Sequence, residues 1–267
     1  MKRHPRLCLV ALIALSACNM HEPDVASTPV VDPAPASAAT PDYAAIVAET
    51  ARPQEDRAAD AMRKPADMLA FAQVQSGMAV VDMLPGAGYF SRLFAGTVGD
   101  KGRVMLYVPD ELVDKKWVPL EKAEALKDEM ANPIVSVAHF PLAGPVPEAM
   151  GENFDVVWTS RNYHDFHNVD GFDAKAYNAM VLDLLKPGGI YVVLDHSAPQ
   201  GAGASATDTT HRIEGEFVRR EVESAGFLYD GSSAVLANPE DDGTKGVFDP
   251  ALKGHTDQFV LRFRKPG

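Results

Sequence analysis

Val80-Val81-Asp82-Met83-Leu84-Pro85-Gly86-Ala87-Gly88-Tyr89-Phe90-Ser91 reads as a buried strand entering a glycine turn and then a helix. Gly86 and Gly88 lack the Cβ atoms that would keep a ligand off the backbone, and a helix beginning at about Tyr89 offers free N–H groups in its first turn. Ser91 supplies the small residue that a nucleotide-binding glycine turn needs three places after its second glycine. Asp82 sets a carboxylate at the strand end. A pyrophosphate would be repelled there, whereas a nucleoside carrying an ammonium group would be attracted. A tight strand-to-helix turn with no ligand fits the same residues, so the stretch alone fixes a local structure and not a function.

Working outward, residues 154–159 read as a second buried strand that ends in the polar loop 160–168. Tyr177, Met180, Val181, Leu184 and Leu185 then recur at helical spacing on one face. Lys186-Pro187-Gly188-Gly189 stops that helix before the strand Ile190-Tyr191-Val192-Val193-Leu194-Asp195. Further strands are expected at 103–108, 134–137, 227–236 and 258–263, with helices between them, the pattern of a parallel sheet with crossovers. A helical segment from near Tyr43 to Lys64-Pro65 carries Arg52, Arg57 and Arg63, and a second helix at 66–73 leads into the first strand.

The turn from Asp82 to Ser91, Asn162-Tyr163-His164-Asp165, and His211-Arg212-Ile213-Glu214 followed by Glu221 and Ala225-Gly226-Phe227 together resemble a bacterial group of predicted methyltransferases. That group lies within the class I S-adenosylmethionine-dependent superfamily, and the resemblance covers about residues 50–267. It implies an α/β, Rossmann-like class I methyltransferase fold: a seven-stranded, mostly parallel sheet with helices on both faces and a final antiparallel strand. It implies S-adenosylmethionine as cofactor, held by Asp82, Pro85, Gly86, Gly88 and Tyr89. The catalytic groups would be Asn162, Tyr163, His164 and Asp165, in the loop after the fourth strand. Methyl transfer from a sulfonium is an in-line displacement, so the protein must orient a nucleophile and take its proton. His164, whose residue type titrates near neutrality, is the expected general base. Structural packing of Tyr163 and His164 fits the same residues. Arg52, Arg57 and Arg63 either guard the cofactor pocket, as the resemblance implies, or pair with Glu55, Asp56 and Asp60 on the surface.

The sequence departs from the superfamily pattern in several places. Leu84 and Pro85 occupy the place of a glycine and a small residue. An acid that binds the ribose hydroxyls is expected about 20 residues past the glycine turn. Tyr107 and Val108 stand there, which leaves Asp110 or Glu111, just beyond, to reach in. Ala138-His139-Phe140 replaces the acid that often contacts adenine. Residues 238–257 are expected as a long connection, read as a solvated turn rather than a cover over the site. His164 and His167 stand three apart and Asp195-His196 ends the fifth strand on the same rim, but two histidines in a loop are too weak a signal, and no metal is expected.

With 267 residues, the chain holds one α/β domain and an N-terminal extension. A formal net charge of −12 and the lack of a basic stripe interleaved with aromatics argue against nucleic acid and for a small-molecule substrate. Lys2, Arg3 and Arg6 precede an apolar run at 7–15 that is too short to span a bilayer. Leu15-Ser16-Ala17-Cys18 follows and resembles a bacterial lipoprotein signal, cleaved before Cys18 and leaving that cysteine lipidated. The expected organisation is a signal peptide at 1–17, a lipidated Pro- and Ala-rich tether at 18–42 and the methyltransferase-like domain at 43–267. Contact with the membrane would be through that lipid only, and Asn19 favours the periplasmic side of the outer membrane. Cys8 and Cys18 are the only cysteines, so the mature chain has no disulfide and no thiolate metal site. Two functions fit: methylation of a small molecule, or non-catalytic binding of a small ligand, the latter favoured by a compartment to which the cytoplasmic methyl donor has no visible route.

Overall fold

The structure is a computed structural model that describes residues 40–151, 153–252 and 254–267. The expected signal peptide, the lipidation of Cys18 and nearly all of the tether lie outside the described residues. Among the described residues no helix is long and apolar enough to cross a membrane.

Seven strands form one sheet: β1 Ala79–Met83, β2 Arg103–Pro109, β3 Val135–Phe140, β4 Phe154–Ser160, β5 Leu185–His196, β6 Leu228–Ser233 and β7 Gln258–Arg264. Their order across the sheet is β3-β2-β1-β4-β5-β7-β6. The first five run parallel, and β7 is antiparallel to both β5 and β6. All five residues of β1 are buried, as expected of a central strand covered on both faces. Alternate side chains serve opposite faces. Val81, Met83, Val157, Tyr191 and Val193 join one core, and Val80, Val156, Trp158, Val192 and Leu194 join the other.

Nine α-helices, counted among the described residues, cover these faces: α1 Tyr43–Val47, α2 Gln54–Arg63, α3 Pro65–Phe71, α4 Tyr89–Val98, α5 Asp110–Asp114, α6 Leu120–Met130, α7 Tyr163–Phe166, α8 Ala174–Leu184 and α9 Gly215–Ser224. Met68, Leu69, Phe90, Leu93, Phe94 and Leu126 bring α3, α4 and α6 onto one face. Tyr177, Val181 and Leu184 of α8 and Val218 and Val222 of α9 pack on the other. Strand order reverses between β1 and β4, and at such a switch point the carboxyl ends of the strands open a crevice for ligands.

Several expectations are refined. The segment from Tyr43 to Lys64 is two helices, because Pro53 precedes the first turn of α2. Lys64 then adopts a left-handed conformation (φ 47°) and Pro65 starts α3 at its first position, where proline costs no hydrogen bond. β5 pairs from Leu185 onward, with 186–189 looping out before the ladder resumes at Ile190 opposite Val156. The polar loop after β4 contains the single-turn helix α7.

The solvated turn expected at 238–257 is instead tied down. Arg212, whose side chain is wholly buried, pairs with Asp241 at 2.7 Å. It also donates to the carbonyls of Lys245 (2.8 Å) and Ser197 (2.9 Å). Asp241 accepts the backbone N–H of Asp257 at 2.7 Å, so a single buried ion pair closes the loop over the end of β5. Although burial opposes the charge, that N–H and Arg212 hold the Asp241 carboxyl below its usual range.

Candidate functional site at the carboxyl ends of β1 and β4

The glycine turn carries three left-handed residues, Leu84 (φ 53°), Gly86 (φ 58°) and Gly88 (φ 83°). The two glycines are there for different reasons. A Cβ on Gly86 would meet nothing within 4 Å, so its open side faces the crevice. A Cβ on Gly88 would lie 2.4 Å from Leu126 Cδ1, so the space beside Gly88 is filled by a side chain of α6, and Gly88 lines neither of the two cavities beside the turn. The strained Leu84 is held from both sides. Its N–H donates to the carbonyl of Tyr107 (2.9 Å), and its own carbonyl accepts from Asn162 Nδ2 (3.2 Å). The same Nδ2 donates to Met83 O at 2.9 Å, while Thr159 Oγ1 bonds Asn162 Oδ1. Asn162, expected to serve the acceptor, is therefore a buried brace between β4 and the turn.

Pro85, Gly86 and Ala87 separate two cavities. One, of about 300 Å³, is lined by Arg63, Asp82, Tyr89, Phe90, Ser160 and Arg161 among others. The other, of about 400 Å³, is bounded by Val108, Trp117, Val118, Pro119, Lys122 and Ala123. The expected cofactor residues Asp82, Pro85, Gly86 and Tyr89 thus share one wall. Asp82 accepts a 2.6 Å hydrogen bond from Ser91 Oγ. Burial pushes its carboxyl up to about 7, against the opposing pull of Ser91 and Arg63.

Of the three arginines, Arg63 alone lines this cavity. Its guanidinium lies 4.4 Å from the centre of the Tyr89 ring and makes no ion pair among the described residues. Arg52 is engaged by Asp60 through two bonds of 2.8 and 2.9 Å, and Arg57 is exposed. Arg161, left without a role by the sequence, adds a second unpaired guanidinium to the cavity. Burial and the nearby Arg63 push it down to about 10, and its Nε donates to Gln258 Oε1 at 3.0 Å. At the end of β2, Asp110 lies 2.7 Å from His139 Nδ1 and lines neither cavity. Tyr107 turns its hydroxyl to the carbonyl of Phe140.

In the loop after β4 the four expected catalytic residues part company. Tyr163 is fully buried, donates to Glu221 Oε2 (3.1 Å) and accepts from Asn178 (2.9 Å), so it belongs to the core. His167 bonds the same Glu221 oxygen at 3.1 Å, which turns it away from His164. His164 sits between two carboxylates. Asp195 Oδ1 lies 2.8 Å from its Nδ1, and Asp165 Oδ1 lies 3.3 Å from its Nε2. Desolvation favours the neutral ring, but Asp195 and Asp165 outweigh it and push the imidazole up to about 10. The near-neutral base expected from the residue type is thus not what the fold provides. His164 carries a proton at neutral pH and positions Asp165. His196, by contrast, is driven down to about 4 by burial and bonds Thr256 Oγ1 at 2.8 Å. His211, from the His211-Arg212-Ile213-Glu214 segment, completes the group with Nδ1 3.7 Å from Asp165 Oδ1. The His211-Arg212-Ile213-Glu214 motif is the signal in the sequence that marks this residue.

No family model matches the chain, and no curated protein matches it. Solved structures do. A SAM-dependent methyltransferase from Aquifex aeolicus superposes with a TM-score of 0.54 at 16% identity, over 84% of this chain and 98% of that one. Geranyl diphosphate C-methyltransferase from Streptomyces coelicolor A3(2), solved with Mg2+, geranyl diphosphate and S-adenosyl-L-homocysteine, gives 0.52 at 11% identity, over 83% and 87%. The [4+2]-cyclase SpnF gives 0.54 at 17%, over 79% and 80%. The architecture is therefore the Rossmann-like class I methyltransferase fold. That a cyclase shares it is a reminder that chemistry is argued from the site and not from the fold.

Proposed function

We propose that the chain binds S-adenosylmethionine across the glycine turn and transfers its methyl group to a small molecule. One observation carries this reading: Gly86, with open space where a Cβ would stand, lines both a cavity holding Asp82 and an unpaired Arg63 and a second, largely apolar cavity. Asp82 suits the ammonium and Arg63 the carboxylate of an amino-acid end, and the wall of Val108, Trp117 and Val118 suits a flat base. The acceptor approaches from the loop after β4. As its nucleophilic atom bonds to the methyl carbon, the carbon–sulfur bond breaks and S-adenosylhomocysteine leaves neutral. Asp165, half-exposed and oriented by His164, takes the acceptor's proton. Lipid attachment at Cys18 and residence on the periplasmic side of the outer membrane belong to the same proposal and are supported by residues 2–18 of the sequence. Cys18→Ala should release the protein from the membrane fraction or leave it uncleaved; a variant that fractionates unchanged refutes the anchoring.

Non-catalytic binding is the second reading, favoured by the engagement of Asp110 with His139 where a ribose-binding acid is needed. Calorimetry of S-adenosylmethionine and S-adenosylhomocysteine against the full chain separates the outcomes, followed by an acceptor screen with radiolabelled donor. Binding with turnover supports the enzyme, and binding with no acceptor methylated supports the second reading. No heat with either ligand removes the cofactor proposal.

A further inference from the structure

Two segments that the sequence singled out, Asn162-Tyr163-His164-Asp165 and His211-Arg212-Ile213-Glu214, meet at a place the methyl-donor cavity does not use. His164 Nε2 and His211 Nδ1 both converge on Asp165 Oδ1, at 3.3 and 3.7 Å. All three potential ligand atoms lie within 4.8 Å of one another, and among the described residues this is the one such group of three. Metal–ligand bonds of about 2.0–2.2 Å place neighbouring donor atoms roughly 3–3.5 Å apart, so the two distances to Asp165 need a contraction of about 0.5 Å or less, and the two histidine nitrogens, within 4.8 Å of each other, one of up to about 1–2 Å, which turning the partly exposed His211 ring would supply. The rings of His164 and His211 stand at 86° with centroids 5.5 Å apart, so the two nitrogens reach the carboxylate from different directions.

The surroundings are built to keep these atoms where they are. His164 Nδ1 is held by Asp195, which is itself wholly buried and fixed by the backbone N–H groups of His164 (2.9 Å) and His196 (2.8 Å). A carboxylate behind the non-ligating nitrogen is the arrangement that orients metal-bound histidines and raises their basicity. His211 is held in a left-handed conformation (φ 55°), a strained state for this residue, and its neighbour Arg212 is anchored by the buried pair with Asp241. The opposite side is open: the side chains of Asp165 and His211 are 38% and 36% exposed. Phe248, 76% exposed, sets its ring edge-on to His211 at 5.1 Å, an apolar wall beside the opening.

We propose that His164 Nε2, whose proton the cation displaces to solvent, Asp165 and His211 Nδ1 bind one divalent first-row transition-metal ion, of the zinc, iron(II) or manganese class, with coordination positions left open toward solvent and Phe248. Two imidazoles and one carboxylate select such ions over calcium and magnesium, which prefer all-oxygen shells. The open positions would take an oxygen donor from a small molecule with an apolar body. The metal site stands independently of methyl transfer. If both hold, the cation assumes the task given above to Asp165 and holds the acceptor oxygen as its anion.

The test is a titration of the chelator-treated full chain with Co2+, read by its visible spectrum, and with Zn2+, read by calorimetry. One equivalent is expected, with bands of an imidazole- and carboxylate-bound ion. His211→Ala and His211→Gln, at a partly exposed position, should each weaken binding by roughly 10- to 100-fold or more, with the circular dichroism unchanged. Asp165→Asn should act in the same direction. Absence of a one-equivalent site, or the same affinity in folded His211→Gln as in the parent, overturns the proposal. S-adenosylhomocysteine affinity measured on the same samples reports separately on the methyl-donor site.

Discussion

Replacing Asp82 by Asn separates the cost of the buried carboxylate from its use. Asp82 is 3% exposed, and burial is the main cause of its rise from 3.8 to about 7. Because the folded protein holds this proton more tightly than the unfolded chain, the carboxylate costs nothing below about pH 4. Its cost grows as pH rises toward 7 and is constant above. At 1.36 kcal/mol for each tenfold change in proton affinity, the full cost is about 4 kcal/mol. Asn has the same shape and can still accept from Ser91 Oγ, but it has no charge to desolvate. Urea unfolding of both proteins at pH 5 and pH 8 should therefore show the variant gaining on the parent by about 3 kcal/mol between the two, since every other group titrates alike in both. Cofactor affinity should move the other way: the variant binds S-adenosylmethionine weakly at every pH. The parent should bind more tightly as pH rises through about 7, where the carboxylate becomes available to the ammonium group. A stability difference that does not change with pH would refute the burial argument, and equal affinity in the folded variant would refute the pairing of Asp82 with the ligand.

Gly88→Ala should destabilise by about 1–3 kcal/mol in chemical denaturation, because its Cβ would lie 2.4 Å from Leu126 Cδ1 at a φ of 83°. Gly86→Ala, with open space around its Cβ, should cost only about 1 kcal/mol of backbone strain while weakening cofactor binding by calorimetry; the reverse pattern would mean that the crevice lies on the Gly88 side. Arg212→Met leaves the Asp241 carboxylate buried and unpaired and should cost about 3–5 kcal/mol, with the amide of Asp257 losing protection from hydrogen exchange first.

Elements buried on both sides are the most legible, because residues 79–83, 154–160 and 190–195 are largely apolar, interrupted only by Asp82, Asp155 and the polar residues at their ends, and are bounded by glycine, proline or polar punctuation. β6 is shorter than the 227–236 expected, since Leu228-Tyr229-Asp230-Gly231-Ser232-Ser233 at the sheet edge has no buried residue to mark where pairing ends. The helix α7 is a single turn and too short to show a period. At the site, Asp82 and Gly86 were legible because their task is local to one turn. The basicity of His164 was not, because it depends on β5 bringing Asp195 beside it. Nor was the choice of Arg63 among three arginines, which the breaks at Pro53 and Lys64 decide. Asn162 and Tyr163 carry groups suited to catalysis, and only the tertiary structure shows those groups turned into the scaffold.

The place of β7 in the sheet has a consequence for how the protein is made. Among the described residues β7 follows every other strand, yet it lies between β5 and β6 and supplies the only strand that β6 pairs with. A chain emerging from its N-terminus can assemble β1, β2 and β4, but it must leave one flank of β5 and the whole of β6 unpaired until residue 264 has been synthesised. Such long-range closure is slow. Until then the open flank of β5 and the unpaired β6 are edges that invite aggregation, so a chain that stops short of Gln258 should not accumulate as a stable fold.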